Sequence, residues 1–352
     1  MSSSASQAPG PATPIRRSWR PLLLTDPRRR FRRYFRRAAV GLLAIGLLAG
    51  LLYVLFPPLF HPHTHVVLLT GADYLSPAVP AVEFAAEEVA GFEALRPALY
   101  ALEGEPPPLV VPALSRPEAL SAWSEACRRL PVGVRDTLLV YAAAHGVCGD
   151  GLPQLMCGSY DPAQPAAGVC SVSELLQPLV ASGTGVKVLI LDASRLGTDP
   201  LAGSVVNEFP ELLQREVLKT RDPRLWVLSA AAPLQRSHVS TALQRSTFGY
   251  LVTIGLSGAA DANQDETVDL AELHRFVSAN ADAWAREHSD GQARQTPVLL
   301  NGAGRSVDNE PPVLISTSAL PKPDASLSAS ELRESNRSQP FIRIQPAVSP
   351  DS

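Results

Sequence analysis

Apolar positions along this chain fall into two kinds of pattern. Short runs rich in Val, Ile and Leu, without polar alternation, occur at 65–70, 109–114, 137–143, 186–191, 225–230 and 297–300. Such runs read as strands, and the longer ones as strands buried on both faces of a parallel sheet. Between them lie stretches with apolar residues at helical spacing: 82–99, 117–130, 172–181, 205–219, 247–255 and 270–286. Ser246 precedes one of these as a candidate N-cap. The alternation over residues 66–304 predicts one doubly wound α/β domain, a mainly parallel sheet flanked by helices, with the 65–70 run as its first, central strand.

A third pattern precedes the domain. Residues 38–60 hold no charged side chain and are rich in Leu, Ala and Gly. As a helix this stretch reaches roughly 35 Å at about 1.5 Å per residue, enough to cross a hydrocarbon core of about 30 Å. It is too long for the apolar core of a cleaved signal peptide and ends in Phe56-Pro-Pro-Leu-Phe60, so it reads as an uncleaved transmembrane helix in the lipid bilayer.

Charge then sets the topology. The chain carries a formal net charge of −3, but arginines cluster from Arg16 to Arg37 against the single acid Asp26, so the rest of the chain is acidic. Arginines on the N-terminal flank place residues 1–37 in the cytoplasm as a disordered basic arm, and everything after Phe60 outside it, in a single-pass arrangement. With a membrane span directly behind it, the arm reads as a topology signal touching anionic head groups, and nucleic-acid binding is not expected. Gly46-x-x-x-Gly50 is a candidate homodimer face within the span. Residues 61–65, with His61, His63 and His65, read as a short stalk. Residues 305–352 are rich in Pro and Ser and read as a disordered tail, with Phe341–Ile344 as a candidate docking strand.

Chemistry gathers at two strand ends. One reads Tyr141-Ala-Ala-Ala-His145-Gly146, the other Leu189-Ile-Leu-Asp192-Ala-Ser194-Arg-Leu-Gly197. Polar residues beside glycine at strand carboxyl ends are where ligands sit in open α/β sheets. The first resembles the Tyr-x-x-Gly-His-Gly strand end of caspase and metacaspase peptidases, and the second their Asp-Ala-Cys-His-Ser-Gly strand end. The spacing also fits, with the histidine about 50 residues before the nucleophile position. The later order agrees too: a Val-Leu-Ser-Ala strand, a Phe-Gly-Tyr helix, an acidic loop, then Gln295-Thr296-Pro297. The resemblance implies a caspase-like fold over residues 66–304, with His145 as base, the Gly146 N–H as an oxyanion donor and Asp192 lining a pocket for a basic P1 side chain.

The departure is at the nucleophile. The family's Cys is Ser194 here, and the His-Ser pair after it is Arg195-Leu196. A hydroxyl is a far weaker nucleophile than a thiol, and serine hydrolases add a third residue to orient and stabilise the histidine. The sequence offers no obvious third residue. The expected activity is therefore that of a degenerate site, a non-catalytic module binding a peptide or protein partner at the old cleft. The alternative is an active endopeptidase or serine-type hydrolase using His145 and Ser194 with a basic P1 preference. Asp192 has a plainer reading as well, as a residue holding a helix N-terminus or loop amides.

Two further sets remain. Asp261, Asn263, Asp265, Asp269 and Glu272, with Thr267 at the seventh place, follow the spacing of an EF-hand-type Ca²⁺ loop leading into a helix. The sixth place, which should be Gly for a φ > 0 turn, is Glu266. The alternative for this set is an Asp/Asn-rich turn capping the 270–286 helix. Cys127, Cys148, Cys157 and Cys170 all fall in the part placed outside the cytoplasm, a compartment that need not be reducing and so permits disulfides, and the sequence does not choose a pairing. His238 is a further polar candidate after a strand.

Overall fold

The computed structural model describes residues 27–55, 63–72, 74–77, 79, 82, 85–95, 109–130, 132–183, 185–193, 208–240, 243–289, 291–308 and 311–320. The chain divides into two units, 1–61 and 62–352.

In the first unit the described residues form a helix, α1, over Pro27–Leu55, starting on a proline suited to the first helical turn. Its described apolar side chains are open, Val40, Leu42, Leu43, Ile45, Leu47 and Leu48 among them. Among the described residues no helix is long and apolar enough to cross a membrane. The described side chains of α1 stop at Leu51, short of the helix end, and residues 56–60 of the predicted span lie outside the described residues.

The second unit is mixed α/β. Its main sheet is built from β1 (Thr64–Leu69), β2 (Leu109–Val111), β3 (Thr137–Ala143), β7 (Val186–Asp192), β8 (Leu225–Ser229) and β12 (Val298–Asn301). The spatial order is β2-β1-β3-β7-β8-β12. All neighbours are parallel except the β8–β12 edge pair. The first strand is thus not central but next to an edge, while β3 and β7 hold the middle. An all-apolar run reports that both faces are covered and says nothing of place in the sheet. Helices α2 (Ala85–Glu93), α3 (Leu120–Arg129), α4 (Val172–Ala181), α5 (Phe209–Lys219), α6 (Thr247–Ile254) and α7 (Leu270–Glu287) complete the layers, and a short antiparallel pair, β9 (Val239–Ser240) with β10 (Arg245–Ser246), leads into α6. Buried residues of the main sheet and these helices form one continuous core, with Phe92, Trp123, Phe209, Phe248 and Phe276 among its large, fully enclosed apolar side chains.

Three features depart from the pattern reading. A three-stranded antiparallel sheet, β4 (Gly146–Gly149), β5 (Leu152–Met156) and β6 (Val169–Ser171), occupies what reads as a loop after His145. The expected stalk is partly domain. Thr64 already belongs to β1, the His63 N–H donates to Asp136 Oδ1 at 3.1 Å, and His65 Nε2 lies 3.5 Å from Asp136 Oδ2. Lastly, part of the expected tail is ordered. The strand β13 (Val313–Ser316) pairs antiparallel with β11 (Thr267–Asp269), and Leu314 and Ile315 are buried. The Leu314 carbonyl accepts the Thr64 hydroxyl at 2.6 Å. Residues 341–344 lie outside the described residues.

Candidate functional site

Strands β3 and β7 run in register to their carboxyl ends, Ala143 opposite Asp192. Past that pair the backbones stay joined. The Ala144 N–H donates to the Asp192 carbonyl at 3.2 Å, and the Gly146 N–H to the Ala193 carbonyl at 2.6 Å. The two strand ends singled out in the sequence therefore lie side by side. Ser194 itself lies outside the described residues.

His145 is 2 % exposed. Its imidazole lies under the ring of Tyr74, with centroids 5.0 Å apart and planes 9° from parallel. The Tyr74 hydroxyl accepts the His145 backbone N–H at 2.8 Å and donates to the Met156 carbonyl at 3.3 Å. Met156 in turn donates its N–H to the His145 carbonyl at 2.8 Å. Tyr74 and β5 thus grip the histidine from two sides. Nothing in the chain's periodicity marks Tyr74. Its only signal is position, four residues after Thr70 at a strand carboxyl end.

The expected oxyanion donor is committed, because the Gly146 N–H is given to Ala193. Close packing forces this glycine: a Cβ there would lie 2.6 Å from the Ala193 carbonyl oxygen and 2.8 Å from the Phe209 ring.

Asp192 is fully buried. Its Oδ2 accepts the Ser246 hydroxyl at 2.5 Å, and the same Ser246 oxygen accepts the Gly249 N–H at 3.0 Å as N-cap of α6. Glu88, also buried, accepts the Ser246 N–H at 2.9 Å and Arg245 Nη2 at 2.5 Å. Two carboxylates thus face the first turn of α6, whose free N–H groups and dipole favour negative charge. Asp192 thus meets the N-terminus of α6 through that helix's cap residue. A cavity of about 20 Å³ lies beside this network, lined by Thr70, Gly71, Ala72, Glu88, Tyr141 and Ala143. It sits at the carboxyl ends of β1 and β3, where the chain's winding direction reverses, the usual place for a ligand crevice. Its size suits a water and no substrate side chain.

Cys148 is exposed on β4, and partial loss of water around its thiol, together with the charge of Glu208, raises its pKa. It is a weak candidate for a displaced nucleophile. His238 is placed against the Trp284 ring, 5.8 Å between centroids, with its backbone N–H on the Gln295 side-chain oxygen.

In the 261–272 loop, Glu266 adopts φ 63°, the left-handed turn that the sixth EF-hand place requires. The carboxylates, however, serve the loop's own amides. Asp261 accepts from Asp265 and Glu266, Asp265 from Thr267, and Asn263 from Asp265. Asp269 and Glu272 form a reciprocal capping box at the start of α7, and Glu272 also accepts the Ala262 N–H. Burial raises the Glu272 carboxyl above the ordinary range. Among the described residues no group of three or more His, Cys, Asp or Glu side chains is gathered to hold a metal ion.

No family model and no curated protein sequence matches the chain. Among solved structures it is similar to a caspase-1 from Spodoptera frugiperda, with TM-score 0.45 and 16% identity, covering 68% of this chain and 87% of that one. It is similar also to the protein GSU0716 from Geobacter sulfurreducens, at 0.44 and 15%, covering 74% and 100%. The Drosophila initiator caspase Dronc gives 0.44 and 11%, covering 69% and 81%. Likenesses this loose fix no activity, and what the site can do follows from its own residues.

Proposed function

We propose that the chain is a membrane-anchored, caspase-like module with a degenerate active site, which binds a peptide or protein partner outside the cytoplasm without cutting it. The anchor rests on the charge-free 38–60 stretch behind the arginine cluster. The caspase-like reading rests on the resemblance of the two strand ends, which β3 and β7 set side by side. The observation that carries the loss of catalysis is the state of His145. It is covered by Tyr74, beside an oxyanion donor already spent on Ala193, in a chain whose nucleophile position is Ser194. A general base must reach the proton it takes, and a hydroxyl without an orienting third residue is a poor nucleophile.

The test is incubation of the full chain, in detergent, with a mixed peptide library, beside Ser194→Cys and His145→Ala. The expected result is no cleavage by the natural chain, with retention of a subset of peptides that Tyr74→Ala changes. Cleavage by the natural chain that disappears in His145→Ala overturns the reading.

A further inference from the structure

Cys170 lies on β6, and Cys157 directly follows β5, its neighbour in the small antiparallel sheet. Leu155 of β5 pairs with Cys170 of β6, and Cys157, two residues on, projects to the same face. The Cys157 N–H continues the ladder onto the Gly168 carbonyl at 2.9 Å. Both side chains are buried, at 0% and 1%. The two thiols act on each other's titration, easing proton loss from Cys157 and opposing it on Cys170. The two other cysteines show no such effect. Cys127 is enclosed by apolar neighbours that push its thiol up to about 12, and Cys148 faces Glu208.

The position matters for the site. Met156, next to Cys157, is the residue whose N–H and carbonyl hold His145 and Tyr74. Gly158, on the other side, donates to the Leu114 carbonyl and accepts the Leu75 N–H, so the segment after Cys157 also fixes the turn carrying Tyr74.

We propose that Cys157 and Cys170 form a disulfide in a disulfide-donating compartment, a covalent staple that holds the strand gripping His145 and Tyr74. The Cys157 thiolate attacks the disulfide of an oxidant, a protein dithiol–disulfide carrier or oxidised glutathione, and expels one of its thiolates. The Cys170 thiol then gives up its proton and attacks the mixed disulfide at the Cys157 sulfur, expelling the second thiolate. Two electrons pass to the oxidant and two protons to solvent. Because both sulfurs are enclosed, the reaction occurs while the hairpin is assembling, and the closed domain shields the bond from reductants. The inference is independent of whether the site binds or cuts.

The experiment is peptide mapping, without reductant, of the full chain folded in a glutathione redox buffer. The expected product is one linked pair of peptides carrying Cys157 and Cys170, with Cys127 and Cys148 alkylated after denaturation. Dithiothreitol should open that link only slowly in the native chain and promptly in denaturant, and should lower the Tm by roughly 5–10 °C. The Cys157→Ala/Cys170→Ala double variant should show no such shift, whereas Cys148→Ala should keep it. Full alkylation of Cys157 and Cys170, or a link that includes Cys148 or Cys127, overturns the proposal whatever the variants do.

Discussion

The Tyr74 ring lies flat on the imidazole of His145, and its hydroxyl ties the His145 N–H to the Met156 carbonyl. One side chain thereby covers the candidate base and fixes its backbone. Tyr74→Ala should expose His145 and cost about 2–3 kcal/mol through the lost ring packing and bridge. Modification by diethyl pyrocarbonate, read by peptide mass, should rise severalfold at His145 in the variant. Equal protection in both chains would mean that Tyr74 is not the cover.

Ser246 joins two tasks, capping α6 through Gly249 and donating to the buried Asp192. Ser246→Ala should therefore lose more than an ordinary cap, about 3 kcal/mol in urea unfolding. Ser246→Thr keeps the hydroxyl and should recover most of it. A loss under about 1 kcal/mol would show that Asp192 does not depend on this donor.

His238 gives a pH dependence of definite sign. Burial first, then the charges of Arg236 and His288, lower its pKa from the usual 6.5 to about 4. Among the described residues its Nε2 has no hydrogen-bond partner, as suits a neutral ring. The unfolded chain then binds a proton between pH 6.5 and 4 that the folded chain refuses. Stability is fully present above about 6.5 and is lost as pH falls toward 4. Allowing for partial solvent exposure, the loss should be about 1–2 kcal/mol. His238→Leu should flatten urea-unfolding midpoints over that window, and an unchanged slope would reject the assignment.

Glu266 holds a left-handed backbone that a glycine adopts without strain. Glu266→Gly should be neutral or stabilising by up to about 1 kcal/mol, part of the relief being offset by a freer unfolded chain. Thermal scans with calcium and with a chelator decide the loop's other role. With its acids engaged by loop amides, the natural chain should show the same Tm in both. A calcium-dependent rise would show that those bonds yield to a cation.

Much of the fold is legible in the sequence itself. The β3 and β7 runs and the α4 helix stand where the pattern puts them, because complete burial leaves an unbroken apolar signature and Ser171 with Glu174 marks the start of α4. The small sheet was hidden because its strands are short, one carries Pro153, and Asp150-Gly151 reads as loop. The strand β13 was hidden by its Pro- and Ser-rich surroundings. At the site, the polar strand-end residues were legible in type and spacing. Their partners Tyr74, Glu88 and Arg245 were not, since contacts made across the fold leave no local period in the chain.

The pairing of β13 with β11, and of Leu314 with Thr64, separates neighbours by up to 250 positions. A ribosome releases Thr64 long before Leu314 exists, so β1 can pair with β2 and β3 at once while this bond waits some 250 residues more. Fragments ending at Gly304 would leave the 267–269 ladder without its mate and the base of β1 without its last hydrogen bond. Anyone trimming this protein for expression should cut beyond Leu320, and a protease that severs the 305–312 connection would loosen the domain from its foot.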